Sequence, residues 1–558
     1  MRPTMKLGDF LAAYLKKTGV DHLFGIPGDL VIKLFLNFGK RRGLKIVTFS
    51  HEPGVGFAAD GYARSTGRLG VVCVTYGAGG HNMVNPVAGS FSEKVPILVV
   101  SGGPGEEERK LGVLIHHQAK EIESQYHIYR ELTCAARIVS RPETAAEEID
   151  EVVRRIWQER RPGYLEIRRD QVDLPIPVPR SIREWDGRLS MPASDPRKVR
   201  EAALETARRF NTAKAPVLIV GIEIQRFAMT KEVVALAERM GAAVLTNVLA
   251  KGAFPMDHPL SMGVYVGPLS HREIQRRVHR KADLVISLGT LLTDVDLGIH
   301  SPQIPREKSI WAIENRVNIS FHAYNDVHIT DFIRALLRCP LKNRRERVQY
   351  YDNLPPRPKS LDRPITISDV LWEANRFLEN RTDFMAVTES GDALFAGIDL
   401  KVSGGGVYLA QGYYASMGFA VPGALGAQIG TGLRPLVLCG DGGFQMTGSE
   451  IAQAPRYGLN PIVILLNNGG WGIFRPIAER KDLLSIPDWR YAELARLWGG
   501  VGIVVKTASE LPAALEKAAS SPSFVIIEVR IQPNDISPMS RKYIEAAAHR
   551  STPTQREN

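Results

Sequence analysis

Four runs along the chain are apolar at nearly every position and lead into glycine: 70–76 before GAGG, 216–220 before GIEI, 283–288 before GT, and 435–439 before GDGG. Short runs without polar alternation predict strands buried on both faces, as in parallel sheets covered by helices. Between them the period becomes helical, as at Phe10, Leu11, Tyr14 and Leu15, with Gly19 as the stop. Strands alternating with helices predict α/β layers. Two proline-rich irregular stretches, 175–196 and 352–364, break the pattern and read as linkers. They leave segments 1–175, 197–350 and 365–540, each doubly wound in character, and a polar tail over 541–558.

A chain of 558 residues suits three cores, since one core seldom grows past about 250 residues. No stretch approaches the ~20 apolar residues needed to span a bilayer. The apolar segment near the start is broken by Lys16 and Lys17, so neither membrane attachment nor a targeting address is expected. Cys73, Cys134, Cys339 and Cys439 form no CxxC, which argues against a zinc site or a disulfide framework and for a cytoplasmic protein. The net charge of +11 raises nucleic acid as a partner. Its clusters at Arg154, Arg155, Arg160 and Arg161, at Arg276, Arg277, Arg280 and Lys281, and at Lys342, Arg344, Arg345 and Arg347 carry one aromatic among them, Trp157, and no interleaved series such as a nucleic-acid platform needs. They read as solvated helix faces, and nucleic acid is not expected.

The strongest chemical signal starts at the strand PLVLC, followed by Gly440-Asp441-Gly442-Gly443 and a helical stretch over about 445–457. A second strand, PIVILL, runs into Asn467-Asn468-Gly469-Gly470. A right-handed βαβ crossover sets the two strand ends together, so Asp441 and Asn468 should meet. One carboxylate, one amide oxygen and a loop carbonyl form a hard oxygen set that phosphate oxygens and a water would complete for Mg²⁺. Taken alone, GDGG also reads as a tight turn. A further strand, LKIVTF, ends in Ser50-His51-Glu52-Pro53 before the helical run GVGFAADGYAR. Glu52 there could be no more than a charge partner for a helix start.

The twenty-five residues between Gly442 and Asn468 make GDGG…NN resemble the metal and diphosphate signature of the thiamine diphosphate enzymes. Glu52 followed by AADGYAR resembles their pyrimidine-binding domain. The resemblance runs from about residue 7 to 529 and implies three doubly wound parallel-sheet α/β domains: pyrimidine-binding, middle and diphosphate-binding. It implies thiamine diphosphate and Mg²⁺ as cofactors, with Asp441, Asn468 and the Gly470 carbonyl on the metal. Gly440, Gly442, Gly443, Trp471, Ile473, Thr75 and Asp392 would line the cofactor. Glu52 would hydrogen-bond the aminopyrimidine and so promote formation of the ylid. In Tyr413-Tyr414-Ala415-Ser416-Met417-Gly418, the Ala415 carbonyl would accept from the cofactor amine and Met417 would be the apolar wedge that bends it.

Within that family, Gly25-Ile26-Pro27-Gly28-Asp29, the His116-His117 pair in LGVLIHHQ, and Thr75 in VTYGAGGHN point to the 2-oxo-acid decarboxylases. Asp29, His116 and His117 would form the relay that protonates the carbon left by decarboxylation. Pyruvate decarboxylases carry a glutamate where this chain has Phe474. An apolar residue there resembles the phenylpyruvate and indolepyruvate decarboxylases, in which a middle-domain aspartate substitutes. Asp294, in LLTDVD, is the candidate, and a plain turn-capping aspartate is the equal alternative. Phe474 and Trp471 would give an apolar pocket that, with Asp29, His116 and His117, takes an aryl or long-chain 2-oxo acid. The expected reaction is non-oxidative decarboxylation to the aldehyde, in a homodimer or homotetramer with active sites between subunits. The rival expectations are an acetolactate-synthase-like or other thiamine-dependent lyase or ligase, and a non-catalytic scaffold.

Overall fold

The computed structural model describes residues 4–299, 304–402 and 406–551. Its frame is three sheets of six or seven strands, in two compact units. The first unit is built on the residues up to Pro192 together with Pro422–Gly432; the second holds Ala193–Val421 and the residues from Leu433 on.

The sheet of the first unit has strands β1 (His22–Gly25), β2 (Lys45–Thr48), β3 (Gly70–Val74), β4 (Ile97–Gly103), β5 (Ala135–Val139) and β6 (Gly163–Arg168). All pair in parallel, in the order β2-β1-β3-β4-β6-β5. Every residue of β3 and β4 is buried, as their unbroken apolar runs predict for central strands. Because the chain winds outward in both directions from β1 and β3, their C-terminal ends flank a topological switch point, where loops diverge and leave a crevice. Helix α1 (Glu52–Thr66) follows β2 and packs against the stretch 422–432. A Cβ at Gly426 would sit 1.8 Å from the Ala58 carbonyl oxygen and one at Gly61 2.0 Å from that of Gly423, so both positions must be glycine.

The second unit carries the other two sheets. The middle one contains β7 (Pro216–Val220), β8 (Ala243–Thr246), β9 (Ser261–Val264), β10 (Leu284–Leu288), β11 (Ser309–Ile313), β12 (Arg316–Ile319) and β13 (His322–Asn325), ordered β9-β8-β7-β10-β11-β12-β13. It is parallel only as far as β11; β12 and β13 add an antiparallel meander that the sequence pattern did not reveal. The last sheet contains β14 (Phe384–Thr388), β15 (Tyr408–Ala410), β16 (Arg434–Gly440), β17 (Ile462–Asn467), β18 (Val501–Val505) and β19 (Val525–Arg530). Its order, β15-β14-β16-β17-β19-β18, repeats the topology of the first sheet, with the switch point between β14 and β16. Val248, Val264 and Val266 share one core with Val370, Leu394 and Tyr408, so the middle and last sheets are fused by packing.

Three expectations need correction. The helix after GDGG begins at Asp441 itself, as α2 (Asp441–Thr447), not near 445, and continues as a 3₁₀ segment before Ala454–Tyr457. The segment from 541, expected as a tail, is mostly helix α3 (Pro538–Ser551). Met539 and Tyr543 anchor that helix in the core, while 552–558 lie outside the described residues. The basic clusters are not simply solvated: Arg160 stacks on the Trp157 ring at 3.6 Å, Arg277 pairs with Glu346 at 2.8 Å, and Arg344 donates to the Asn211 carbonyl at 3.0 Å. Among the described residues no helix is long and apolar enough to cross a membrane.

Candidate active site

In the first unit the switch point brings together Asp29, Thr75, His116 and His117. Asp29 follows β1 and Thr75 ends β3; the Thr75 hydroxyl donates to Asp29 Oδ1 at 3.3 Å. Gly28 makes this approach possible, since a Cβ there would lie 2.6 Å from the Thr75 Cβ. His116 Nε2 is hydrogen-bonded to Asp29 Oδ2, and His117 Nε2 lies 3.8 Å from Oδ1. These bonds hold the Asp29 carboxyl below the usual carboxylate range against the opposing effect of burial. His117 sits at φ 68°, pressed onto Gly77, where a Cβ would come 2.0 Å from its carbonyl oxygen.

Glu52 is the first residue of α1, at the end of β2, and its side chain keeps 15% exposure. Asn82 Nδ2 donates to its Oε2 at 3.1 Å. Gly79 leaves room beside it: an added Cβ would stand 3.3 Å from Oε1. Glu52 is therefore walled by protein but open enough to meet a ligand. Gln125, fully buried, fixes the 75–82 turn by accepting from the Gly77 amide at 2.7 Å and donating to Ser101 Oγ and the Tyr164 hydroxyl at 2.8 and 2.6 Å.

In the second unit Asp441 follows β16 as the first residue of α2 and meets the 467–470 loop after β17, as the crossover argument requires. Its Oδ1 accepts from the Gly442 amide at 2.8 Å, and its Oδ2 from the amides of Gly469 and Gly470 at 2.7 and 3.1 Å. Asn468 Oδ1 accepts from the Gly470 amide at 3.2 Å. Asn467, by contrast, turns into the sheet and donates to Glu528 at 2.9 Å, so only the second asparagine faces the site. Burial pushes the Asp441 carboxyl up to about 6, although the surrounding amides pull it down. At Gly440 and Gly469 an added Cβ would meet nothing within 4 Å, so open space lies over these strand ends. Trp471 covers Gly442, where a Cβ would clash with its ring at 2.2 Å. Ile473 and Phe474 follow in a 3₁₀ turn; Phe474 is 52% exposed.

Ala415 holds φ 54° in the loop that also carries Met417. That loop is clamped by Glu389, a buried residue just past β14. Glu389 Oε1 accepts from the amides of Ser390 and Gly418 at 2.8 and 3.1 Å, and Oε2 from Ala420 at 3.0 Å. Asp392 is engaged by the start of α3, accepting from the Ser537 amide at 3.1 Å and Ser540 Oγ at 2.6 Å. Asp294 is exposed on the loop after β10 and accepts from its neighbour, the Val295 amide, at 2.9 Å. Two residues on, Asp296 is buried and accepts from Asn247 Nδ2 and the Val248 amide at 2.7 and 2.8 Å.

Comparison with known proteins places each cluster in a thiamine pyrophosphate-binding domain. Residues 5–128 match the thiamine pyrophosphate enzyme N-terminal binding domain, 204–339 the central domain, and 391–529 the C-terminal binding domain. The chain is 35% identical to an indole-3-pyruvate decarboxylase of Azospirillum brasilense over 97% of its own length and 98% of the relative's. A probable pyruvate decarboxylase of Schizosaccharomyces pombe is 28% identical over 95% of both chains. The pyruvate decarboxylase of Neurospora crassa is 28% identical over 95% of this chain and 94% of its own. The chain belongs to the thiamine diphosphate-dependent 2-oxo-acid decarboxylases.

The residues of this decarboxylase fit that cofactor. Asp441, Asn468 and the Gly470 carbonyl offer oxygen donors of the hardness a divalent cation bound to phosphates needs, and the open space at Gly440 and Gly469 admits the phosphates. Bound thiamine diphosphate supplies the electron sink for loss of CO₂. Reading the sequence alone missed Asn82, Gln125 and Glu389. For Glu389 a signal existed: a carboxylate directly after an apolar strand, in TESGD, mirrors Glu52 after LKIVTF.

Proposed function

We propose that this decarboxylase acts on an aryl or long-chain 2-oxo acid, phenylpyruvate or indolepyruvate above others, with Mg²⁺ as the metal. The observation that carries the reading is Phe474. This half-exposed apolar residue occupies the position of the glutamate in pyruvate-specific enzymes, one 3₁₀ turn from Trp471 and the Asp441 loop. The name of the Azospirillum relative points the same way.

In this reading Asp441, Asn468 and Gly470 hold Mg²⁺, while Gly440, Gly442, Gly443 and Ile473 flank the diphosphate. Ala415 and Met417 would position the cofactor rings, and Thr75 and Asp392 would each contact the cofactor. The Glu52 carboxyl would hydrogen-bond the aminopyrimidine. The Asp29–His116 hydrogen bond sets the tautomer of the imidazole, which with His117 binds the substrate and delivers a proton to the product carbon. Asp294 is exposed, with its carboxylate accepting from the Val295 amide and its carbonyl from the Ile299 amide, and it reaches substrate in place of the missing glutamate. Leu111, Val113 and Leu114 near His116, and Met446 and Ile477 near Asp441, are exposed apolar residues. They suit burial against a second copy of the chain, which would complete each active site in a dimer or tetramer.

An aldehyde assay across pyruvate, phenylpyruvate, indolepyruvate and branched 2-oxo acids tests this. An aryl ring that buries roughly 80 Å² more than a methyl group gains about 2 kcal/mol at ~25 cal/mol per Å², or some thirtyfold in kcat/KM. Equal or better kcat/KM for pyruvate would refute the aryl preference.

A further inference from the structure

The middle sheet has its own switch point, between β7 and β10, which the decarboxylase chemistry does not use. A cavity lies there. Ile219, Ser287 and Trp311 are direct cross-strand neighbours on β7, β10 and β11, so their side chains form one row on one face of the sheet. Ser287 is the only polar residue of LVISL and the smallest of the row. It leaves a hollow between an isoleucine and an indole. The cavity has a volume of about 110 Å³, smaller than an ordinary small-molecule pocket and close to the ~150 Å³ of an apolar cavity that takes a benzene ring.

Two features of the lining define what it could take. Tyr265 and Thr290 both line the cavity, both are buried, and neither hydroxyl has a hydrogen-bond partner among the described residues. An unpaired buried hydroxyl costs roughly 1–3 kcal/mol, so a ligand atom that satisfies it gains affinity. Among the described lining residues there is no lysine, arginine or histidine, and the one charged group is the Asp296 carboxylate. That composition disfavours a nucleotide, a phosphate or a 2-oxo acid, although dinucleotides bind at the equivalent crevice of many doubly wound folds.

We propose that the middle domain carries a separate site for a neutral aromatic molecule of one ring with a single polar atom. The ring lies over Ser287 between Ile219 and Trp311, and the polar atom meets Tyr265 or Thr290. The proposal does not rest on the substrate assigned above.

The test is binding to the holoenzyme, with cofactor and Mg²⁺ present, of 2-phenylethanol and phenol as probes. Calorimetry and tryptophan fluorescence provide the readouts, and Trp311→Phe assigns the signal. Phenylacetate is the charged control. The expected result is saturable binding, at least about tenfold weaker for phenylacetate than for 2-phenylethanol. Ser287→Leu, which fills the hollow, should weaken both probes at least tenfold with the circular dichroism spectrum and turnover unchanged. Should Ser287→Leu fail to fold, Tyr265→Phe together with Thr290→Val decides: it keeps the shape and removes both hydroxyls, and 2-phenylethanol should weaken severalfold. Wild-type affinity in a folded Ser287→Leu variant, or in Tyr265→Phe together with Thr290→Val, would overturn the proposal. So would phenylacetate binding as tightly as 2-phenylethanol.

Discussion

Replacing Glu389 by Gln isolates the residue that holds the Ala415–Met417 loop. The carboxylate takes amides on both oxygens, from Ser390 and Gly418 at 2.8 and 3.1 Å on one and from Ala420 at 3.0 Å on the other, with the Phe419 amide as a further donor. A glutamine has only one accepting oxygen. Whichever way its amide is turned, at least one buried N–H then faces an NH₂ group. A hydrogen bond to a charged acceptor contributes roughly 1.5–3 kcal/mol and an unpaired buried N–H costs about 1–3 kcal/mol. Because the loop can shift to reach water, the net loss should be about 2–4 kcal/mol, expressed as loosening of residues 416–420. Urea unfolding measures the global part, and a titration of thiamine diphosphate at fixed Mg²⁺ measures the local part. Cofactor affinity should fall by about one to two decades, since 1.4 kcal/mol is tenfold. Burial pushes the Glu389 carboxyl up while the amides pull it back. A variant with unchanged stability and affinity would mean that the side chain is a neutral acid here, which glutamine mimics, and the clamp argument would fail.

Three further changes probe other parts of the account. Asp441→Ala removes the only anionic oxygen of the metal set, and calorimetry should detect no cofactor binding at millimolar Mg²⁺; retained affinity would sink the metal assignment. Asp294→Asn should slow turnover of the preferred substrate at least about tenfold, whereas a normal kcat would leave it a turn-capping residue. Lys251, fully buried with its ammonium donating to the carbonyls of Gly397 and Leu400, is pushed down to about 7 by burial. The unfolded chain therefore binds more protons than the folded one between about pH 7 and the ordinary lysine value, and this group adds stability as pH rises through that window. Relative to Lys251→Met, the wild type should gain up to about 1.4 kcal/mol per pH unit there in urea unfolding, and parallel curves would refute the burial argument.

How much of this was legible in the sequence depends on how local the signal was. The strands at 70–74, 216–220, 284–288 and 434–440 were readable because both faces are buried, which leaves an apolar run with no ambiguity of phase. The meeting of Asp441 with the 467–470 loop followed from the handedness of a single crossover. The start of α2 was not readable, because Gly442-Gly443 is a turn signal that the tertiary setting overrides. Helix α3 was hidden since its anchors, Met539 and Tyr543, are few among polar residues. Asp294 and Asp296 look alike in LLTDVD, yet the loop buries one and exposes the other. Glu389 and Gln125 work through backbone amides far away in sequence, which no spacing encodes.

The central proposal, that cofactor activation in this decarboxylase depends on Glu52, is tested most directly by Glu52→Gln assayed for binding and turnover on the same preparation. The metal and phosphate contacts lie on other residues, so thiamine diphosphate affinity at saturating Mg²⁺ should stay within about threefold of wild type. Aldehyde release from the preferred 2-oxo acid should fall by at least a hundredfold, about 2.7 kcal/mol of barrier. A variant that keeps more than about a tenth of wild-type turnover, a loss under 1.4 kcal/mol, would contradict the account.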